Sequence, residues 1–195
     1  MQYSRKNDYS LSFNKKAVQH TIFNQYKSQR FKKLVGLAGP NINDYFSFLK
    51  SKGIRQAEVY EYDISKLAIQ LSKYQPVIKS EIKYQDIYHA DPDRKDTVYD
   101  LDFCCSIRNA AKHVKKFTCN VVVTLSIRPI GLKKTIKKFA KLVDGTLNPE
   151  FYLVEVVSAK TGSFKIYRLN TDTRKYQCYI YKDSMPMLTI QSITS

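Results

Sequence analysis

The 195-residue sequence has no stretch approaching the ~20 consecutive apolar residues that a membrane-spanning helix needs. Its first residues, Met-Gln-Tyr-Ser-Arg-Lys-Asn-Asp, have no apolar run behind their charges, so no secretory signal is expected. Cysteine is sparse: Cys104, Cys105, Cys119 and Cys178. Sequence neighbours such as Cys104 and Cys105 seldom pair, and no C-x-x-C or Cys/His spacing suggests zinc. The four read as buried thiols in a reducing compartment. His20, His89 and His113 show no ligand spacing either, so no metal is expected and none of them is a candidate base. The absence of G-x-x-x-x-G-K-[ST] excludes a P-loop NTPase, and the missing G-x-G-x-x-G counts against an NAD-type enzyme. No internal repeat or low-complexity tract is present.

Acids are scarce as well. Asp and Glu total 17 against 33 Lys and Arg, a formal net charge of +16. Self-repulsion at that level destabilises a compact domain, so a polyanion, and first a nucleic acid, is the expected partner. A membrane surface fits less well, because the basic segments are tied to a core and present no exposed Trp/Phe/Leu face. The apolar share of 43% suits a globular core, and the length suits one domain.

Residues 1–31 are polar and basic with scattered aromatics, and are expected to be a basic N-terminal appendage. Within it, Val18, Ile22 and Tyr26 repeat at helical spacing. The main domain is expected over 32–195. Leu34 to Gly39 is a short apolar run ending in glycines, which predicts a buried strand and tight turn. Asn41 can cap the next helix, whose apolar face is Ile42, Tyr45, Phe46 and Leu49, with Gly53 as the left-handed residue beyond it. Ala57 to Tyr60 predicts a second strand ending at Glu61-Tyr62-Asp63. A helix with Ile64, Leu67, Ala68 and Leu71 inward follows, capped by Asp63 or Ser65. Val77 to Tyr88 supports a third strand ending near Asp86, then a charged loop, and Thr97 to Cys104 a fourth. Two basic helices flank the most apolar strand, Asn120 to Leu125. One has Arg108, Lys112, Lys115 and Lys116 outward; the other has Lys133, Lys134, Lys137, Lys138 and Lys141. After Pro149 four strand-like segments are separated by turn residues.

About five strand–helix repeats and an antiparallel run predict an α/β fold. It is a doubly wound, Rossmann-like, mainly parallel sheet with helices on both faces and a β-rich C-terminal tail. Such sheets bind ligands at the carboxyl ends of their strands. Those ends carry Gly36, Gly39 and Asn41; Glu61 and Asp63; Asp86; and Asp100, Asp102 and Phe103. Glycines between a strand and a capped helix let backbone N–H groups approach a ligand. An acid ending the second strand can accept both ribose hydroxyls of an adenosine, and Asp86 can receive an adenine amino group.

This arrangement, over roughly residues 33–170, resembles the class I S-adenosylmethionine-dependent methyltransferases, as a divergent member. The glycine segment, Leu34-Val35-Gly36-Leu37-Ala38-Gly39-Pro40-Asn41, lacks that family's leading acid and its full glycine set. The resemblance implies S-adenosylmethionine over Gly36, Gly39, Asn41, Glu61 (with Asp63 the rival) and Asp86, and target chemistry at Asp100, Asp102 and Phe103. Asp100 and Phe103 match the outer positions of the Asp/Asn-Pro-Pro-Tyr/Phe motif of amino-methylating members. Asp102 alternatively resembles the aspartate of Asp-Leu-Asp-Pro-Tyr/Phe in tRNA guanine methyltransferases. The ribose-methylating pattern would need Lys32 or Lys33, Glu155, and a base where Arg128 stands; arginine keeps its proton and cannot be that base.

The lysines of the two basic helices lie opposite apolar stripes and supply diffuse phosphate attraction. Lys15, Lys16, Lys27 and Arg30, interleaved with aromatics, and Arg128 are the candidate nucleic-acid contacts. Two readings follow: a methyltransferase acting on RNA or DNA, or a catalytically inactive, methyltransferase-like nucleic-acid-binding accessory protein. Either suits the cytoplasm, and the host cytoplasm if the source is a virus or phage.

Overall fold

The computed structural model describes residues 12–29, 31–37, 42–92, 96–101, 106–117, 120–127, 131–183 and 185–193. Five α-helices and nine strands follow in the order α1 (Phe13–Ser28), β1 (Lys33–Gly36), α2 (Ile42–Ser51), β2 (Gln56–Glu61), α3 (Ile64–Lys73), β3 (Lys79–Tyr84), β4 (Thr97–Leu101), α4 (Ile107–Lys116), β5 (Val121–Ser126), α5 (Leu132–Asp144), β6 (Glu150–Ala159), β7 (Gly162–Asn170), β8 (Lys175–Lys182) and β9 (Pro186–Ile193). All nine strands form one sheet in the order β3-β2-β1-β4-β5-β9-β8-β7-β6. The first five run parallel, and β9 reverses against β5, pairing Val122 with Gln191 through Ser126 with Met187. The Thr124 and Thr189 hydroxyls meet at 2.9 Å across that reversal. The Rossmann-like order with an antiparallel tail is thus the architecture the alternation predicts.

Two cores lie on opposite faces of the sheet. One joins α4 and α5 to Val35, Tyr99, Val121, Val123 and Leu188. The other joins α1 and α2 to Leu34, Val59, Val98, Val122 and Tyr179. Strand residues alternate between them, as the period of two requires. Among the described residues no α-helix lies between β3 and β4. A single 3-10 turn, Ile87–His89, leads toward β4, and no described helix follows β3 on the α4 side of the sheet. That face instead carries a charged ladder: Glu58 on β2 pairs with Lys33 of β1 and with Lys83 of β3 at 3.3 Å.

α3 is rotated relative to the expected pattern. Leu67 and Gln70 are its buried residues, whereas Ile64 and Leu71 are 60% and 53% exposed. The helix packs beside α2, where only a narrow strip meets protein, and the buried Glu61 draws Gln70 inward as a donor.

α1 belongs to the second core through Val18, Ile22, Phe23 and Tyr26. Its N-terminus is stitched to two turns. The Ser12 hydroxyl donates to Asp183, Asn14 Nδ2 donates to the Lys182 carbonyl, and Asn14 Oδ1 accepts from the Ser163 N–H at 2.8 Å. Gly162 lies under the helix at φ +144°, and a Cβ there would fall 2.9 Å from the Phe13 carbonyl and 2.8 Å from the Ala17 Cβ. Gly162→Ala is therefore expected to destabilise the fold by about 1–3 kcal/mol through overpacking and backbone strain; an unchanged thermal midpoint would contradict the contact.

At the C-terminal end of α5, Asp144 ties two loops together. Its Oδ1 accepts from the Thr146 hydroxyl (2.6 Å), and its Oδ2 from the Thr173 hydroxyl (2.7 Å). Burial works to raise this carboxyl, but the hydroxyls of Thr146, Thr171 and Thr173 outweigh it and hold it near 2 against an ordinary 3.8. A depressed carboxyl stabilises the fold above the unfolded value, and that contribution fades as pH falls from 3.8 toward 2. Asp144→Asn should lower the thermal midpoint at neutral pH. The gap from wild type should close on acidification through that window, as followed by circular dichroism.

Candidate active site at the strand ends

β1, which carries Gly36, is flanked by β2 and β4. A Cβ on Gly36 would approach the Asp100 carbonyl to 2.9 Å and the Tyr45 hydroxyl to 3.3 Å. Glycine is required here because the backbones of β1 and β4 and the α2 side chain converge. The position opens space for the protein's own packing.

Asp100, only 5% exposed, turns toward α1 and α2. Its Oδ2 accepts from the Tyr45 hydroxyl at 2.9 Å. With Lys15, Gln19, Thr124 and Thr189 it lines a small cavity of about 10 Å³, room for no more than about one water. Asp100 is thus seated in the interior beneath α1. Lys15, expected on the surface as a nucleic-acid contact, is 6% exposed and lines the same cavity. It is drawn in because the face of α1 that carries Val18 and Ile22 packs on the sheet. Lys16 and Lys27 lie on the exposed side of α1.

Glu61 ends β2 and is 8% exposed. Its Oε1 accepts from the Asp63 N–H at 2.9 Å, and its Oε2 lies 3.4 Å from the Gln70 amide nitrogen. The carboxylate is thereby fixed at the strand end, with acceptor capacity remaining on its two oxygens. Asp63 is the N-cap of α3, accepting from the N–H groups of Ser65 and Lys66. Asp86 caps the 3-10 turn by accepting from the Tyr88 N–H at 2.8 Å, and its side chain is exposed. Gly39, Asn41, Asp102, Phe103, Arg30 and Arg128 lie outside the described residues, as do Cys104, Cys105 and Cys119. Cys178 is buried and unbridged, its thiol pushed up by burial.

The structure therefore brings Gly36, Glu61, Asp63, Asp86 and Asp100 to the carboxyl ends of four parallel strands, with different surroundings for each. Sequence reasoning missed two groups that hold them. Gln70 sits three residues from Leu67 on the inward stripe, which identifies it only once Glu61 is known to be buried. Tyr45 falls on the apolar stripe of α2 by its spacing, and its hydroxyl supplies the polar contact to Asp100. Among the described residues, no group of three or more His, Cys, Asp or Glu is placed to hold a metal. No helix among them is long and apolar enough to cross a membrane.

The exposed faces of α4 and α5 carry Arg108, Lys112 and Lys115, and Lys133, Lys134, Lys137, Lys138 and Lys141. Neither helix has an acid in its first turn. Like charges at i, i+4, such as Arg108/Lys112 and Lys133/Lys137, each cost about 0.2–0.5 kcal/mol.

No family model and no curated protein matches this sequence. Solved structures do match in architecture. An S-adenosylmethionine-dependent O-methyltransferase from Thermotoga maritima is 11% identical, with 92% of this chain aligned to 66% of that one at a TM-score of 0.49. A methyl-donor-bound aminopentose methyltransferase from Micromonospora echinaspora is 9% identical over 100% and 86% of the two chains, TM-score 0.41. The 23S rRNA methyltransferase ErmE is 13% identical over 90% and 68%, TM-score 0.41. The likeness is one of architecture. At these values it assigns no activity to this chain, and the chain spans about two thirds of the Thermotoga protein.

Asp100 accepts a hydrogen bond from Tyr45 away from bulk water. Tyr45→Phe should therefore cost about 1–3 kcal/mol by leaving a buried carboxylate short of a donor. Urea unfolding monitors this, and no loss of stability would show the contact to be idle.

Proposed function

We propose that this protein is an S-adenosylmethionine-dependent methyltransferase acting on nucleic acid, in a cytoplasmic setting. The observation that carries the reading is Glu61. It is a buried carboxylate, locked by the Asp63 N–H and the Gln70 amide, at the carboxyl end of the strand next to β1. A carboxylate so placed has the acceptor capacity for the two hydroxyls of a ribose, and that donor set fits an adenosine-bearing cofactor. Asp86, exposed at the end of β3, is within the same row of strand ends and can accept from an adenine amino group. In a protein of net charge +16, acids gathered at these ends also make a local negative rim for a cationic ligand.

When bound, S-adenosylmethionine supplies a methyl group on a positively charged sulfur. This chain would contribute orientation: Glu61 would hold the sugar, and Asp102 and Phe103, which follow β4 in sequence, would receive the target group. Catalysis is mainly positioning for in-line transfer, with no need for a side chain of unusual basicity. The exposed cations of α4 and α5 support a polyanionic target.

A second reading, a nucleic-acid-binding accessory protein that binds no donor, draws support from Gly36, Asp63 and Asp86. Each of these has a structural role that explains it without a ligand. Thermal shift measurements with S-adenosylmethionine, its demethylated product, NAD and ATP separate the two. The methyltransferase predicts saturable stabilisation by the first two, of about 2–3 kcal/mol at a hundredfold excess over Kd, abolished in Glu61→Gln. No stabilisation by millimolar donor would sink the enzyme reading and leave the accessory protein.

A further inference from the structure

The short connection after β3 exposes a second feature. Where a full crossover helix would lie, the 3-10 turn delivers Tyr88 to the flank of α4. Lys112 Nζ stands 3.8 Å from the centre of the Tyr88 ring and Lys116 Nζ 4.4 Å. Lys116 also donates to the Tyr88 carbonyl, and the His113 ring meets the Tyr88 ring edge-on at 5.5 Å. Tyr88, Arg108, Ala111, Lys112, Lys115, Lys116 and, across on α5, Leu142 line an open groove of about 610 Å³.

Four of these seven residues are cationic and none is acidic. Among the described residues no carboxylate pairs with Arg108, Lys112, Lys115 or Lys116. Two lysines at the end of α4 are favoured by the helix dipole, but Arg108 in its first turn is not. Solvated lysines ordinarily spread apart. Here one aromatic ring gathers two ammonium groups, which raises local repulsion that an anion would relieve. The cationic stripe follows α4 from Arg108 to Lys116, roughly 12 Å at 1.5 Å per residue, starting at the end of the helix nearest the strand tips.

We propose that this groove docks the phosphate backbone of a nucleic-acid strand, with Lys112, Lys115 and Lys116 as phosphate contacts and Tyr88 as the ring that gathers Lys112 and Lys116. The proposal rests on the nucleic-acid part of the function proposed above and not on the methyl donor. It differs from diffuse attraction in requiring Tyr88, whose removal changes no charge.

The test is binding of short fluorescein-labelled single-stranded RNA and DNA, by anisotropy across a salt series. The proteins are wild type, Lys112→Gln/Lys115→Gln/Lys116→Gln, Tyr88→Ala, Tyr88→Phe and the charge-matched Lys133→Gln/Lys137→Gln/Lys141→Gln, none of whose positions lines the groove. The groove triple should lose at least about tenfold in affinity, and its log–log salt slope should fall by about 2, at ~0.7 per phosphate contact on a single strand. Tyr88→Ala should lose about threefold or more, with binding kept in Tyr88→Phe, since it is the ring face that holds the ammonium groups. The α5 triple should stay within about threefold of wild type. Equal losses in the two triples, or wild-type binding by Tyr88→Ala, would overturn the groove in favour of diffuse charge. Preferential binding to phosphatidylserine vesicles over either nucleic acid would overturn it in favour of a membrane. Melting temperatures within a few degrees of wild type guard against misfolding. The donor shift is read separately: groove-dependent binding without it removes only the methyltransferase, and a donor shift without nucleic-acid binding removes only the groove.

Discussion

The strand ends depend on one close approach. At Gly36 only hydrogen fits opposite the Asp100 carbonyl, and that spacing also admits the Tyr45 hydroxyl to the Asp100 carboxylate. Strand, neighbouring strand and helix are fixed together at the end of β1, the place where an open α/β sheet makes its ligand crevice. A side chain at residue 36 would push β1 from β4 or α2 from the sheet, and either shift would move Glu61, which β1 holds through its pairing with β2. The glycine that suggests a phosphate- or cofactor-binding turn thus has its first role in packing, and the ligand-facing part of the site rests on Glu61.

Glu61, Asp63, Asp86 and Asp100 stand where four parallel strands end, in a chain of 17 acids against 33 cations. Cations line the outer faces of α4 and α5, on one side of the sheet. The opposite side is closed by α1, held at its N-terminus by Asn14 and the close passage of Gly162. Burying Lys15 there removes a cation from the surface and adds it to the polar cluster around Asp100. That side carries exposed cations as well, Lys16 and Lys27 on α1 and Lys50 on α2.

Much of this architecture was legible in the sequence because it follows periodicity. The alternation of Leu34, Val59, Val98 and Val122 against Val35, Tyr60, Tyr99 and Val123 divides the strands between two faces. The stripe Leu132, Ile136, Phe139 and Val143 does the same for α5. Gly53 stands at positive φ beyond α2, as its position after the helix implies. What periodicity could not show was the partner of each polar group. The pattern of α3 favours Ile64 and Leu71 inward, and loses to a buried Glu61 that needs Gln70. Asp63 and Asp86 read equally as caps or ligand acceptors, since capping and ligand binding ask the same chemistry of a carboxylate. Lys15 lies on the helix face that carries Val18 and Ile22, and its burial follows from the packing of that face on the sheet, where it lines one cavity with Asp100. Tyr88 gave no signal at all, because its role arises from a short loop laid against a helix that follows twenty residues later.

Under the proposed function one protein uses a cationic donor and a polyanionic target together. The carboxylates of Glu61, Asp63 and Asp86 at the strand ends favour a sulfonium over a phosphate. The backbone of a nucleic-acid target would then be held by the proposed α4 groove, whose cationic stripe begins at the helix end nearest β4 and runs away from it. The 3-10 turn after β3 bears on that proposal, because it lays Tyr88, and no larger element among the described residues, against the flank of α4 on which the stripe lies.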